Sequence, residues 1–333
     1  MNVLSGMGPT GRLHIGHYHG VLKNWIELQK HHDCRFMVAD LAALATNYQS
    51  PEIIQKSIQD MVIDWLSVGI DPEKSTIFIQ SQVPEHVQLA WLLGMVTPLA
   101  MAESVPAYQE KKQKLKNADL ATYGFLGDPI MQAADILLYK TELVPVGADS
   151  VHHLDFAKKL AQRFNDLYFP TVGGEIFKIP EASIFSATCL PGVDGEKMSK
   201  SYGNTIMLRS DDEHIENTIK GVKTQQKLGG VDGCPVFKLR QVYAGTDIDK
   251  IDNIKVECEG KQLTCSDCKI DLSTEIGLDQ VDIRERAQYY AANPHILKEI
   301  LSEGCKKASQ SARKTIDEIK HAMGLSYPGF NIN

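Results

Sequence analysis

A short apolar run, Val3-Leu4-Ser5, is followed at once by Gly6, Gly8, Pro9 and Gly11, and then by helical periodicity that starts near His14. Few folds use strand, glycine-rich turn and helix in that order. The arrangement aims backbone N–H groups and the positive end of a helix at one point beyond the strand, where an anion can sit. The helix is expected to run to about Lys30, with Val21, Leu22, Trp25, Ile26 and Leu28 on its apolar side. Arg35 to Ala39 reads as the next strand, Pro51 to Gly69 as a helix and Thr76 to Ile79 as a buried strand. Strands alternating with helices predict an α/β fold with a doubly wound parallel sheet, which binds ligands beyond the C-terminal strand ends.

Further on, Pro129 to Tyr139 is expected as a helix with proline in its first turn. Leu143 to Val146 reads as a strand, and Gly147 to Ser150 as a turn into a helix ending near Asn165. After Gly203 the chain turns mostly helical, with Asp279–Gly304 and Lys306–Met323 the clearest helices and a domain change near 190 to 210. The 333 residues are 43% hydrophobic and 23% charged, ordinary for a globular chain of two domains. No apolar run approaches the ~18 residues of a membrane span, and the N-terminus is unlike a signal peptide, so a cytoplasmic protein is expected. With a net charge of -7, any contact with nucleic acid needs a local basic patch.

Two short segments carry chemistry. Pro9-Thr10-Gly11-Arg12-Leu13-His14-Ile15-Gly16-His17 lies in the first turn, and Lys197-Met198-Ser199-Lys200-Ser201 follows the loop Pro191 to Gly195. His14 and His17 are three apart and share one side of a first helical turn, where imidazole N–H groups can donate to a developing phosphate charge. Gly16 removes a side chain where a flat purine can lie against the backbone, and Thr10 can bond the helix start or a phosphate oxygen. Lys197 and Lys200, on a loop able to close, can meet phosphates during reaction. Read together, the segments are two halves of one nucleotide site and point to chemistry at the α-phosphate of ATP.

His14-Ile15-Gly16-His17 and Lys197 to Ser201 resemble the two signature motifs of class I aminoacyl-tRNA synthetases. Gln132-Ala133-Ala134-Asp135-Ile136-Leu137-Leu138-Tyr139, then Val144-Pro145-Val146-Gly147-Ala148-Asp149, and the ending Ala322 to Leu325, are similar to the tryptophanyl-tRNA synthetases. The resemblance implies a Rossmann-like catalytic domain over 1–200. A helical anticodon-binding domain with its linker would occupy 201–333. It implies that tryptophan carboxylate attacks the α-phosphate of ATP, carried with Mg²⁺, that pyrophosphate leaves, and that the acyl group passes to the 2′-hydroxyl of tRNA(Trp). It implies a homodimer. His14, His17, Lys197 and Lys200 fall on catalytic positions. Gly8, Pro9, Thr10, Gly16, Gly147, Ala148, Asp149, Met198, Ser199 and Ser201 fall on nucleotide-contacting ones, with Asp149 suited to a ribose hydroxyl. Asp135 matches the carboxylate that reads the indole N–H, a donor-only group, and Val144 and Val146 line the pocket.

Three positions depart from the family pattern. Gly8-Pro9-Thr10 replaces the usual Gln-Pro-Ser, removing a glutamine side chain. Asp128 stands where many members have tyrosine and can pair with the substrate ammonium; Gln132 replaces methionine. Asp128, Gln132 and Asp135 share a helix face. Gln132 with Asp135 keeps a tyrosyl-tRNA synthetase as the alternative, with a nucleotidylyltransferase of the same fold further off.

Four of the seven cysteines, Cys234, Cys258, Cys265 and Cys268, cluster with intervals of twenty-three, six and two residues. In a reducing compartment such a cluster suggests ligands rather than disulfides, and four thiolates suit tetrahedral zinc or an iron–sulfur cubane. A similar spacing in some bacterial tryptophanyl-tRNA synthetases implies a [4Fe–4S] cluster, with zinc as the alternative. Lys111, Lys112, Lys114 and Lys116, and Lys306, Lys307, Arg313 and Lys314, read as solvated faces or as contacts to tRNA.

Overall fold

Each central strand carries apolar residues on both faces, and that pattern builds a sheet with two covered sides. A computed structural model describes residues 1–333 except 107, 110–121, 148–150, 186–189, 225–229, 246 and 328–333. Strands β1 (Asn2–Met7), β2 (Asp33–Val38), β3 (Ser75–Ile79), β4 (Leu143–Gly147) and β5 (Glu181–Phe185) form one parallel sheet of order β3-β2-β1-β4-β5. Successive residues feed opposite layers: Val3, Phe36 and Ile77 enter one core, while Leu4, Met37 and Phe78 enter the other. Chain order reverses between β1 and β4, so a crevice opens beyond their C-terminal ends, at Met7 and Gly147. The expected α/β doubly wound sheet is therefore present; β5 is an element the apolar pattern did not single out.

The first helix is less regular than its periodicity suggests. It opens as α1 (Ile15–His17), widens into a π-helical turn over Tyr18–Leu22 and resumes as α2 (Lys23–Leu28). Such π-turns recur at functional sites. Trp25 is fully buried, stacks on Phe36 at 4.4 Å and meets Trp65 edge-on at 5.2 Å. These rings, each worth about 1.5–3 kcal/mol on burial, fasten α2 and α4 (Glu52–Val68) to the sheet. Between β2 and α4 lies α3 (Asp40–Asn47), and α5 (Glu85–Val96) and α6 (Leu99–Glu103) follow β3.

Helix α7 spans Tyr123–Leu138, so Pro129 sits inside it rather than in its first turn. The true start is set by Thr122, whose side chain accepts from the Phe125 N–H. Helix α8 (His152–Val172) runs past Asn165, because the left-handed residue that ends it is Gly173, at φ 69°. Asn165 instead uses its amide to bind Phe177 and Ile176 backbone groups.

The C-terminal half holds α9 (Asp212–Lys220), α10 (Pro235–Ala244), α11 (Ile248–Glu259), α12 (Cys265–Asp279), α13 (Val281–Ala292) and α14 (Pro294–Ala322). The expected break near 305 is absent: α13 ends at Ala292, with Asn293 as its cap before Pro294, and α14 continues unbroken through Gly304. The glycine is there for a close approach. A Cβ at 304 would lie 1.8 Å from the Ile77 carbonyl oxygen, so only glycine lets α14 press on edge strand β3 and cover it. A third core joins Ile15 and Met198 to Ile215, Ile219, Leu239, Leu272 and Ile276.

Candidate active site

The turn after β1 and the Lys197 loop meet in the crevice. Lys200 Nζ donates to the carbonyls of Thr10 (2.9 Å) and Gly11 (3.2 Å), a bond between residues 190 apart in the chain. Gly11 takes φ 107°, which the tight turn requires and a side chain resists. A backbone bridge runs alongside: the Ile15 N–H donates to Ile206 O at 3.0 Å and the Leu208 N–H to Leu13 O at 2.9 Å. Buried Asp64 completes the fastening. It accepts from the Leu13 N–H at 3.1 Å and lies 2.6 Å from Nε of Arg209, itself in the left-handed region at φ 65°.

His14 and His17 lie against each other with ring centroids 3.8 Å apart. Burial first, then nearby Lys200, pulls His14 down to about 4; burial, His14 and Lys200 pull His17 down to about 3. Both rings are thus neutral at pH 7. His17 Nδ1 accepts from the His14 backbone N–H at 3.2 Å, which leaves its proton on Nε2 as a donor. His14 Nδ1 is buried with no hydrogen-bond partner among the described residues. Gly16 lies under this pair: a Cβ there would come 2.8 Å from His14 Nδ1 and 3.5 Å from Met198 Sδ. The space that glycine leaves is occupied by these side chains.

The Lys197 loop is organised by a residue its motif does not contain. Asn204, 2% exposed, accepts from the Ser199 N–H at 2.7 Å and donates to Asp194 (2.8 Å) and to the Lys197 carbonyl (3.1 Å). Met198 is buried in the third core, while Lys197 points outward and is exposed. Ser201 lies in the 3-10 turn Lys200–Tyr202. Gly8 and Pro9 form the turn floor, with the Thr10 N–H donating to Gly8 O at 2.9 Å. Gly147 closes β4 beside them, and Ala148 and Asp149 lie outside the described residues, as do Lys111, Lys112, Lys114 and Lys116.

On α7, Asp128 and Asp135 are buried and Gln132 is half-buried; the Gln132 amide donates to Asp128 at 3.2 Å. Asp128 lines an open cleft of ≈ 480 Å³ with Leu41, Tyr48, Val87, Trp91 and Tyr123. Asp135 lies deeper. Both its oxygens accept from Gln80 Nε2 at 2.8 Å, and Oδ1 is 2.6 Å from His86 Nδ1, whose Nε2 is 2.8 Å from the Tyr139 hydroxyl. Burial pushes the Asp135 carboxyl up, opposed by His86 and Gln80. Val144 and Val146, two apart on β4, belong to the same core layer. Gln80 and His86 carried no signal in the sequence, because single polar residues beside an apolar strand look like its end.

Cys234, Cys258, Cys265 and Cys268 all line one small cavity of ≈ 30 Å³, walled by Val236, Phe237, Ile254 and Leu263. All four are reduced thiols. No group of three or more His, Cys, Asp or Glu side chains among the described residues is placed to hold a metal ion. The donor set is therefore gathered around one cavity but not closed around one point.

The family described as tRNA synthetases class I (W and Y) matches residues 1–277. The tryptophan–tRNA ligase of Thermotoga maritima is 41% identical over 98% of this chain and 100% of its own. That of Ralstonia nicotianae is 39% identical over 98% of each. A crystal structure of the Campylobacter jejuni tryptophanyl-tRNA synthetase complexed with ADP and tryptophan superposes with a TM-score of 0.86 at 31% identity, covering 98% of this chain and 100% of that one. A sheet reversing at β1 and β4, with both signature segments joined there, is what those relatives lead one to expect, and the chain belongs to the class I tryptophanyl-tRNA synthetases.

Proposed function

We propose that this chain activates L-tryptophan with ATP and charges tRNA(Trp), and that the site does so by positioning and charge rather than through a covalent enzyme intermediate. The observation that carries this is the bond from Lys200 to the Thr10 and Gly11 carbonyls, which brings one ammonium and two neutral imidazoles to one point of the crevice. With ATP and its Mg²⁺ in the crevice, Lys200 would exchange those carbonyls for phosphate oxygens as charge develops. The His17 Nε2–H and the His14 imidazole would donate to the same oxygens. Gly8, Pro9, Thr10 and Gly147 would line the nucleotide side of the crevice, and Gly16 makes room for the His14 ring beside it. Asp135 would accept the indole N–H, and Asp128 would meet the substrate ammonium. ATP–pyrophosphate exchange tests this: it is expected to depend on tryptophan, and exchange supported by tyrosine alone would overturn it.

The chain is proposed to act as a homodimer. Val87, Trp91 and Met95 recur every four residues on the outer side of α5 and are 49%, 57% and 60% exposed. Leu99 and Tyr123 extend the patch. A stripe of large apolar side chains this continuous calls for a partner surface, and a second copy supplies it beside the Asp128 cleft. Sedimentation at micromolar concentration, with Trp91→Glu as the disrupting variant, checks it. No helix among the described residues is long and apolar enough to cross a membrane.

The four cysteines are proposed to hold a [4Fe–4S] cluster, with zinc as the alternative. Four reduced thiols lining one apolar-walled cavity, on the ends of α10, α11 and α12, support this reading. The group would tie these helix ends together, remote in sequence from the phosphate-binding segments. Iron, sulfide and zinc content of protein purified without oxygen decides between them: about four iron and four sulfide for the cluster, one zinc without sulfide for the alternative.

A further inference from the structure

Asp135 is ringed by donors that tryptophan binding alone does not require. A carboxylate has roughly four lone-pair sites, and three contacts reach this one: Gln80 Nε2 to Oδ1, Gln80 Nε2 to Oδ2, and His86 Nδ1 to Oδ1. Oδ1 is therefore complete and Oδ2 has one site left. The carboxylate side of the imidazole sets which nitrogen carries the proton: Asp135 as a carboxylate only accepts, so His86 Nδ1 donates to it. Tyr139 is buried, burial with the Asp135 charge holds its phenol well above the ordinary range, and its hydroxyl keeps a proton to give to His86 Nε2. Nε2 is then an acceptor, and Nδ1 carries the hydrogen that goes to Asp135.

We propose that His86 is a positioning residue for the amino-acid substrate: by completing Oδ1 it turns Oδ2 into the acceptor for the indole N–H. This rests on the reading of Asp135 as the indole-binding carboxylate and adds to it the group that sets its orientation. The imidazole is itself immobilised. It packs against Phe78 at 5.8 Å and Tyr139 at 5.4 Å, and the Arg35 guanidinium covers the tyrosine ring at 5.5 Å. Gln80 holds the carboxylate from the other side while its own carbonyl accepts from the Leu41 N–H at 3.1 Å, which ties the arrangement to the start of α3. The carboxylate is thus held by three contacts, and by that count one acceptor site of Oδ2 is left for a donor. A site built around one unfilled acceptor rejects a ligand that lacks the matching N–H, because the acceptor is left buried and unpaired.

The test is ATP–pyrophosphate exchange by the full-length chain with L-tryptophan and with L-β-(benzothiophen-3-yl)alanine, its sulfur isostere without an N–H. The wild type is expected to prefer tryptophan by roughly 100-fold or more in kcat/KM. His86→Ala is expected to cut that preference by about 10-fold, through KM for tryptophan, with KM for ATP within about 2-fold. His86→Asn, whose amide N–H stands near Nδ1, is expected to recover most of the preference, and Tyr139→Phe to lose about 3-fold of it. The proposal is overturned if His86→Ala leaves the preference within about 2-fold, or if His86→Asn is as poor as alanine and both lose tryptophan and isostere alike. If His86→Ala does not fold, an unchanged preference in Tyr139→Phe overturns it. Asp135→Ala separates the two layers: a preference that survives there sinks the Asp135 reading, whereas one lost there and intact in His86→Ala sinks only the role of His86.

Discussion

The Lys200 end of the crevice and the cysteine cavity were both legible as motifs, yet the fold treats them differently. At the crevice, Lys200 reaches across 190 residues to Thr10, and a backbone bridge and Asp64 hold the two segments together. Around the cysteines, four thiols line one cavity and no three of the described side chains close on a common point. The difference lies in what holds each together. Backbone hydrogen bonds and a buried core assemble the first with no ligand. The second is built from thiols on the ends of α10, α11 and α12, and under the proposed reading its closure would depend on the group they hold.

The largest expected break in that contrast is Lys200→Ala. It removes the cation that joins the segments, and exchange is expected to fall about 10²–10³-fold in kcat, with urea unfolding little changed. A fall of less than about 3-fold would mean that the bond to Thr10 and Gly11 belongs to a resting arrangement unconnected with reaction. Asp64→Ala attacks the fastening instead of the charge. It leaves the Leu13 N–H without its acceptor and Arg209 without its innermost partner. A loss of about 3 kcal/mol in stability and about 10-fold in exchange is expected, read from urea midpoints and initial rates.

Acid titration sharpens the same comparison, because His14, His17 and Asp64 are buried titratable groups of the crevice. His14 at about 4 and His17 at about 3 lie below the ordinary 6.5. The unfolded chain therefore binds more protons between about 4 and 6.5, and stability present above that range is lost as pH falls through it. Asp64, raised by burial to about 6, has the opposite sign: the folded chain holds its proton longer, and its contribution declines as pH rises from about 3.8 to 6. The double variant His14→Asn, His17→Asn is expected to flatten the loss between pH 6.5 and 4, and Asp64→Asn to steepen it. Urea midpoints at pH 5 and 7 check both signs. The smallest expected effect on exchange is at the other region. Cys265→Ser is expected to lower metal content and tRNA charging while tryptophan-dependent exchange stays within about 2-fold. Equal loss of both activities would make the cavity a general support of the fold.

Much of the fold was readable because its signals are local. Apolar runs marked the centres of β1 to β4, and the two histidines and the lysine loop were recognisable as short motifs. The misplaced boundaries share one cause. Gly304 looks like a break, and Pro129 like a helix start, to a reading that knows only backbone propensity. In the folded chain Gly304 lies inside α14 because Ile77 needs its missing Cβ, and Pro129 and Pro170 are carried within helices whose ends Thr122 and Gly173 set. β5 was missed because Glu181-Ala182-Ser183-Ile184-Phe185 is half polar and gains strand character from pairing with β4.

By itself the sequence determined the alternation of strands and helices, the turn that carries His14, Gly16 and His17, and the pairing of that turn with Lys197 to Ser201. Those follow from periodicity and from residue types at short spacing. Only the tertiary structure decided that Lys200 rests on Thr10 and Gly11, that Asn204 shapes the lysine loop, that Asp64 ties Leu13 to Arg209, and that Gln80, His86 and Tyr139 surround Asp135. Each of those contacts joins polar groups distant in the chain. A lone buried polar residue has no periodicity to announce it; it is specified by the desolvated partner that only folding brings within reach.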